Sequence, residues 1–230
     1  MFNGKMKAVT FSYDDGVTTD EHLIEILDRY GLKCTFNINT GSHRKEGERP
    51  YSTNHFGATI GKFVWSELRD IYKNHEVASH SLTHPHLEKL DRATCRAEML
   101  CDMINIEAAI GKKPVGMAYP FGSYSDETVE VLRELGLKYA RGTWSNYSFD
   151  LQDDLMRFRP TLHHNDVRLM ELCDKFIDLK PETPKIFYIW GHTYEFENQH
   201  NWDRIERFCD RIAGRDDIFY GTNEEVLLAK

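Results

Sequence analysis

The chain has 230 residues, 40% of them hydrophobic and 29% charged, with a formal net charge of -8. That length suits one domain over 1–230 with a sizeable core, and no Pro/Ser-rich or single-sign block marks a linker or a disordered tail. The negative balance disfavours nucleic acid and anionic membranes as partners; with no long apolar run and no secretory h-region, the chain as given reads as cytoplasmic.

Short apolar runs alternate with stretches of helical periodicity, the pattern of parallel βα units. The first strand is predicted over 7–13 and runs into Asp14-Asp15-Gly16. A helix over 20–30, with Leu23, Ile24, Ile26 and Leu27 ahead of Gly31, leads to a strand over 32–38. A long polar excursion over 41–62 precedes a helix over 64–74 and a strand over 76–81, which enters His80-Ser81-Leu82-Thr83-His84-Pro85-His86. The longest helix runs from Asp91 to Gly111; a strand over 114–120 then ends in Tyr119-Pro120-Phe121-Gly122, and Ser125-Asp126 opens a helix that closes at Gly136. Strands over 137–144 and 156–162, a helix over 166–179, a strand over 185–191 ending at His192, a helix over 201–213 and a strand over 217–222 complete the pattern. Seven or eight strands separated by helices predict an α/β fold, a distorted (β/α) barrel rather than a doubly wound sheet. The 41–62 segment is then a βα loop on the face where barrels build active sites. Cys34, Cys95, Cys101, Cys173 and Cys209 are odd in number and form no CxxC pair, so they read as packing residues of a reduced protein.

Neighbouring side chains on a strand point to opposite faces, so Asp14 and Asp15 converge on one site only where the pleat ends. Taken alone, the triplet is equally a turn with Asp and Gly in their usual places. His80 and His84 have metalloprotease spacing, but Ser81 stands where that motif needs Glu, and Pro85 disfavours helix at His84. A strand-to-loop pair remains: two imidazoles with one carboxylate make a common catalytic zinc set, against the alternative of a solvated histidine loop. His192 alone reads as a surface histidine. All four segments follow predicted strands, however, and a closed barrel gathers them on one rim.

In this order the motifs resemble those of the polysaccharide deacetylases, carbohydrate esterase family 4 with the NodB-homology fold. TFSYDDG looks like the first motif, T-F-D-D-G, and HSLTHPHL like the second, H-S-x-x-H. YPFG is similar to the third, R-x-P-Y-G; TWSNYSFDL loosely resembles the fourth, and IWGHTYEF fits the last. The resemblance covers roughly 6–222. It implies hydrolytic removal of an N-acetyl or O-acetyl group from a carbohydrate, with Asp15, His80 and His84 as metal ligands, Asp14 as general base and His192 as general acid. Phe121, in the turn Tyr119-Pro120-Phe121-Gly122, would offer its N–H to the oxyanion. The implied metal is zinc, with cobalt, nickel or iron also compatible with such a donor set.

The arginine expected two residues before the third motif's proline is Ala118 here, so Arg141 or Arg159, from a following strand, is expected to supply the charge beside Asp14. Asp150 keeps the acidic position of the fourth motif, while Leu151 replaces its tryptophan. Glu195 is placed either to orient His192 or as a solvated loop residue. Tyr119, Phe121, Trp144, Trp190 and Tyr194 are candidate sugar-stacking aromatics or core residues. Two alternatives stand beside the carbohydrate reading. One is a metal-dependent amidohydrolase for a small non-sugar amide or cyclic imide, which the missing export signal favours. The other is a non-catalytic carbohydrate-binding relative, kept open by the missing arginine.

Overall fold

The computed structural model describes residues 1–46, 52–55 and 58–229. Its elements are β1 (Lys7–Asp15), α1 (Asp20–Arg29), β2 (Cys34–Ile38), β3 (Ser52–His55), β4 (Ala58–Gly61), α2 (Leu68–Ile71), β5 (Glu76–Ser79), α3 (Arg92–Ile110), β6 (Gly116–Ala118), α4 (Asp126–Leu135), β7 (Tyr139–Arg141), β8 (Leu162–His163), α5 (Leu169–Asp178), β9 (Lys185–Gly191), α6 (Tyr194–Gln199), α7 (Trp202–Ile212), β10 (Ile218–Tyr220) and α8 (Asn223–Leu227). Among the described residues, β3 and β4 form an antiparallel hairpin, and the other strands pair in parallel in the order β7-β6-β5-β2-β1-β9-β8, with β10 beside the start of β1. The edges of the curled sheet meet where Phe158 bridges Arg141 just before the chain enters β8. The result is a distorted (β/α) barrel of seven strands, with β10 as a short eighth.

Strand periodicity decides what lies inside. From β1, Val9, Phe11 and Tyr13 join the outer core with Leu23 and Leu27 of α1 and Phe208 of α7. The alternate residues face the interior, which is unusually polar and hydrogen-bonded apart from a few atoms such as Asn37 Oδ1 and Trp190 Nε1. Thr10 Oγ1 donates to Asn223 Oδ1 (2.9 Å), Asn223 Nδ2 donates to Tyr188 OH (2.7 Å), and the hydroxyls of Thr35 and Tyr139 donate to Glu76 (2.6 and 2.7 Å). At the lower end α8 packs Val226 and Leu227 into a cluster with Ala8, Tyr139 and Tyr188. The same inward ladders, continued upward, end in Asp14 after Ser12, His80 after Ala78, Arg141 after Tyr139 and His192 after Trp190. Outside, α3 and α4 cover β6 through Met99, Met103, Met117, Val129 and Leu132. Both helices start where the Asp91 and Ser125 side chains accept from the N–H groups of Thr94 (3.0 Å) and Thr128 (3.1 Å).

Several elements differ from their sequence expectation. The helix expected over 64–74 is a 3₁₀ turn, Trp65–Glu67, followed by the four-residue α2. The strand expected over 156–162 survives only as the Phe158 bridge and β8, because Pro160 has no N–H for the ladder. The hairpin β3–β4 lies inside the 41–62 loop, of which residues 47–51 and 56–57 fall outside the described residues. α6 and α8 are six and five residues long, too short to register as periodicity. The five cysteines are free, and all but Cys101 are buried. No helix among the described residues is long and apolar enough to cross a membrane.

Candidate active site

The pleat carries Asp14 inward and would send Asp15 the other way. At Asp15 the backbone takes a left-handed conformation, φ +81°, which ends the strand and turns the second carboxylate onto the same rim. Ser81, His84 and Phe121 are also left-handed (φ +64°, +60° and +59°). For non-glycine residues this costs on the order of 1 kcal/mol or more each, and four of the eight such residues described lie around this site.

Asp15 Oδ1 lies 3.8 Å from His80 Nε2 and 3.9 Å from His84 Nε2, and Asp15 Oδ2 lies 4.0 Å from His192 Nε2. These separations are too long for hydrogen bonds, and those among Asp15, His80 and His84 suit donors facing a common cation. His80 Nδ1 is 2.7 Å from the Ala118 carbonyl, which only accepts, so Nδ1 carries the proton and the Nε2 lone pair faces Asp15. Asn39 Nδ2 donates to the carbonyls of His80 (2.5 Å) and Ser81 (3.2 Å), and the His84 N–H is held by Ser81 Oγ (3.2 Å). Burial, reinforced by His80, pushes His84 down to about 4 and so to the neutral form. Burial alone would raise Asp15, but His192, His80, Lys62 and His84 outweigh it and bring it to about 2. One carboxylate and two imidazoles with bare nitrogens are a donor set that fits a divalent ion.

Asp14 is held differently. Its Oδ1 accepts from the Arg141 guanidinium and from Asn37 Nδ2 (2.8 Å), leaving Oδ2 unencumbered by either. Burial pushes the Asp14 carboxyl up, but Arg141, joined by His80 and His192, reverses this and leaves it below its ordinary value. Arg141 is wholly buried and lies over the Trp190 ring, 4.7 Å from its centroid. In the parallel pairing of β6 and β7, Ala118 and Arg141 are register partners. The guanidinium thus reaches the level of Ala118 from the neighbouring strand.

His192 Nδ1 is 2.7 Å from Glu195 Oε1, which leaves Nε2 on the Asp15 side. Burial lowers the basicity of this imidazole, but the Glu195 bond together with Asp15 and Asp14 raises it to about 8. Beneath it, Asp20 accepts from Thr193 Oγ1 (2.6 Å), Tyr72 OH (2.7 Å) and the Val17 N–H (3.1 Å), joining the start of α1 to the end of β9. Burial outweighs those bonds and moves Asp20 up to about 7. An unfolded Asp titrates near 3.9, so the folded chain binds this proton more tightly. The associated stability is present below about pH 4 and is lost as pH rises to about 7, at roughly 1.4 kcal/mol per unit. Melting temperatures at pH 5 and 7.5 should therefore differ less in Asp20→Asn than in the unaltered chain; an undiminished slope would assign the effect to another group.

The other expected residues are scattered. Arg159 is exposed and does not reach Asp14; its backbone pairs with the Gln152 side chain (2.7 and 2.9 Å), so the charge there comes from Arg141. Asp150 pairs with Lys185 at the opposite end of β9 from His192 (2.5 Å), too far down the barrel to serve the rim. Tyr119 is a core residue whose hydroxyl donates to Met156 O (2.8 Å), and Trp190 and Tyr194 are buried as well, which leaves Phe121 and Trp144 as the exposed aromatics of that set. Phe121 stacks on His86 (4.0 Å, 14°) in the turn with Pro120 and Gly122. Gly122 is required there, since a Cβ would meet Thr143 Oγ1 at 2.2 Å at a φ of +74°. Four participants escaped the sequence reading. Lys62 donates to the Asp15 carbonyl and had no signal; Asn37 was visible as an inward polar residue in an apolar strand. His163 and His164, an adjacent pair after a predicted strand, lie against Glu195.

A family model described as polysaccharide deacetylase matches residues 3–140, a span that includes Asp14, Asp15, His80 and His84 and stops one residue before Arg141. The chain belongs to the polysaccharide deacetylase family. The fold of this deacetylase-family chain is shared with a solved structure named Puue allantoinase (TM-score 0.72, 12% identity, covering 97% of this chain and 90% of the other). It is also shared with a family 4 carbohydrate esterase from Streptomyces lividans in complex with acetate (TM-score 0.56, 16% identity, 95% and 92% covered). A Streptococcus pyogenes deacetylase, also in complex with acetate, is matched over 58% of this chain with 20% identity and a TM-score of 0.48; the match spans only 55% of that protein. No curated protein sequence matches the family member described here.

Proposed function

We propose that this chain is a metal-dependent hydrolase that removes an N-acetyl or O-acetyl group from a carbohydrate. The observation that carries the reading is the convergence of Asp14, Asp15, His80, His84 and His192 on one rim, with the His80 ring locked so that Nε2 faces Asp15. Family membership supports the deacetylase chemistry. Asp15, His80 and His84 would hold the ion, zinc first, with cobalt, nickel or iron compatible. When bound, such an ion polarises the acyl carbonyl and lowers the pKa of water from 15.7 towards ~7.

The chain's own groups supply the rest. Asp14, kept ionised by Arg141, takes the proton of the attacking water at Oδ2, since Oδ1 is already engaged. The Phe121 N–H, in its strained turn, faces the carbonyl oxygen as negative charge grows on it. His192 holds a proton on Nε2 and delivers it to the leaving nitrogen or oxygen as the acyl bond breaks. Acetate and a free amine or alcohol result.

The fold shared with an allantoinase keeps a second substrate class in view, a small non-sugar amide or cyclic imide. Chelation followed by zinc or cobalt addition, assayed on acetylated chitooligosaccharides and a panel of soluble amides, tests both. Turnover should fall at least tenfold on chelation and return with metal, and the panel assigns the substrate class. Sugar binding that survives chelation with no turnover on any substrate would make the chain a binding relative instead.

A further inference from the structure

Behind His192 lies a group of ionisable side chains that the proposed reaction does not use. Glu195 Oε1 is 2.7 Å from His192 Nδ1, while Oε2 accepts from Asn165 Nδ2 (2.9 Å) and lies 3.3 Å from His163 Nε2 and 3.1 Å from His164 Nε2. His163, His164 and Glu195 are close enough together to be considered a second cation site. Proton placement opposes this. The Asn165 backbone N–H donates to His163 Nδ1 (3.2 Å), so the neutral ring keeps its proton on Nε2, the atom a cation would need bare. His164 Nδ1 is 3.2 Å from the Tyr13 hydroxyl, and burial holds that phenol in its protonated form, able to donate. The carboxylate therefore faces N–H groups on both of its oxygens.

The surroundings are shaped for this arrangement. A Cβ on Gly191 would come within 2.1 Å of His164 Nδ1, so the glycine of Trp190-Gly191-His192 is what admits the His164 ring beside the end of β9. That ring is wholly buried and stacks on Phe196 of α6 (4.1 Å, 27°) and on Tyr13 of β1 (5.5 Å, 21°). Burial would push the Glu195 carboxyl up, but the bonds from His163, His164 and His192 hold it far below the ordinary carboxylate range. With Oε1 on His192 and Oε2 bonded to Asn165 and flanked by His163 and His164, the carboxylate is held from both sides.

We propose that Glu195, clamped by His163, His164 and Asn165, is the positioning residue that fixes the His192 ring with Nδ1–H bound and Nε2 turned to the leaving group. An imidazole without such a partner samples ring flips and both tautomers, and only one arrangement points a proton at the scissile bond. The inference rests on the reading of His192 as proton donor and adds the device that aims it.

In the full chain labelled with ¹⁵N-histidine, His192 should show a slowly exchanging, hydrogen-bonded Nδ1–H resonance. Glu195→Ala should remove it, and Glu195→Gln, whose amide oxygen still accepts, should retain it. In kinetics, Glu195→Ala should lower kcat on penta-N-acetylchitopentaose by about tenfold or more with KM within about threefold. Hydrolysis of 4-nitrophenyl acetate, whose leaving group departs without a proton, should fall much less. His192→Ala should show the same split; if it does not, the proton-donor role fails and this inference with it. A split in His192→Ala that is absent from Glu195→Ala, an equal loss on both substrates in Glu195→Ala, or an Nδ1–H resonance that survives in Glu195→Ala would each overturn the positioning role alone.

Discussion

Arg141→Met is expected to lower turnover by about 100-fold or more, roughly 2.7 kcal/mol of transition-state stabilisation. It should also destabilise the fold by about 3–5 kcal/mol, because removing one partner of a buried pair leaves an uncompensated charge. Asp14 is 2% exposed and Arg141 fully enclosed, so water cannot take over the lost partner's role. Without the guanidinium, burial drives the Asp14 carboxyl up and towards its protonated form, in which it no longer accepts a proton from water. Arg141→Lys should rescue little, since a shorter point charge does not reproduce the planar fork at the level of Ala118. The double variant Asp14→Asn/Arg141→Met separates the two effects: denaturant unfolding should show much of the stability regained, while turnover stays lost. Retention of more than a tenth of the turnover in Arg141→Met would show that Asp14 needs no buried counter-charge.

The adjacent carboxylates should fail in different ways. Asp14→Asn is expected to retain close to one equivalent of metal and to lose about 10²–10⁴ in kcat, the range typical for removal of a positioned base. Asp15→Asn should lose the metal itself, since the neutral amide replaces the one anionic donor between His80 and His84. Metal content after gel filtration, measured beside turnover, decides the matter. Metal loss in Asp14→Asn with retention in Asp15→Asn would reverse the assignment. The structural basis is the break in the pleat: Asp14 continues the inward ladder towards Arg141, and Asp15 at φ +81° leaves it to face the histidines.

The alternation of apolar runs and helical periods was enough to read a parallel βα barrel, because hydrophobic period is a local property of the chain. Strand ends are also local, and this made Asp14, Asp15, His80, His84 and His192 legible as one rim. Short elements were not: α6 spans fewer than two turns, and without it Glu195 had no defined direction relative to His192. Asp150 read as a site residue by motif order. The segment between β7 and β8 instead doubles back along β9, and the Asp150–Lys185 bridge places that carboxylate at the far end.

By itself, then, the sequence determined the fold class, the order of the site segments and the five residues that converge, since each follows from strand periodicity and from where a strand stops. Only the tertiary structure decided between Arg141 and Arg159, because that choice depends on the register of β6 against β7, which pairs Ala118 with Arg141 through backbone hydrogen bonds between segments 20 or more residues apart in sequence. It likewise decided that His163 and His164 reach Glu195 through the space that Gly191 leaves open, a close approach of two strands and a helix for which no single segment carries a signal. The pair of aspartates is adjacent in the chain; their partners are neighbours only once the barrel has curled.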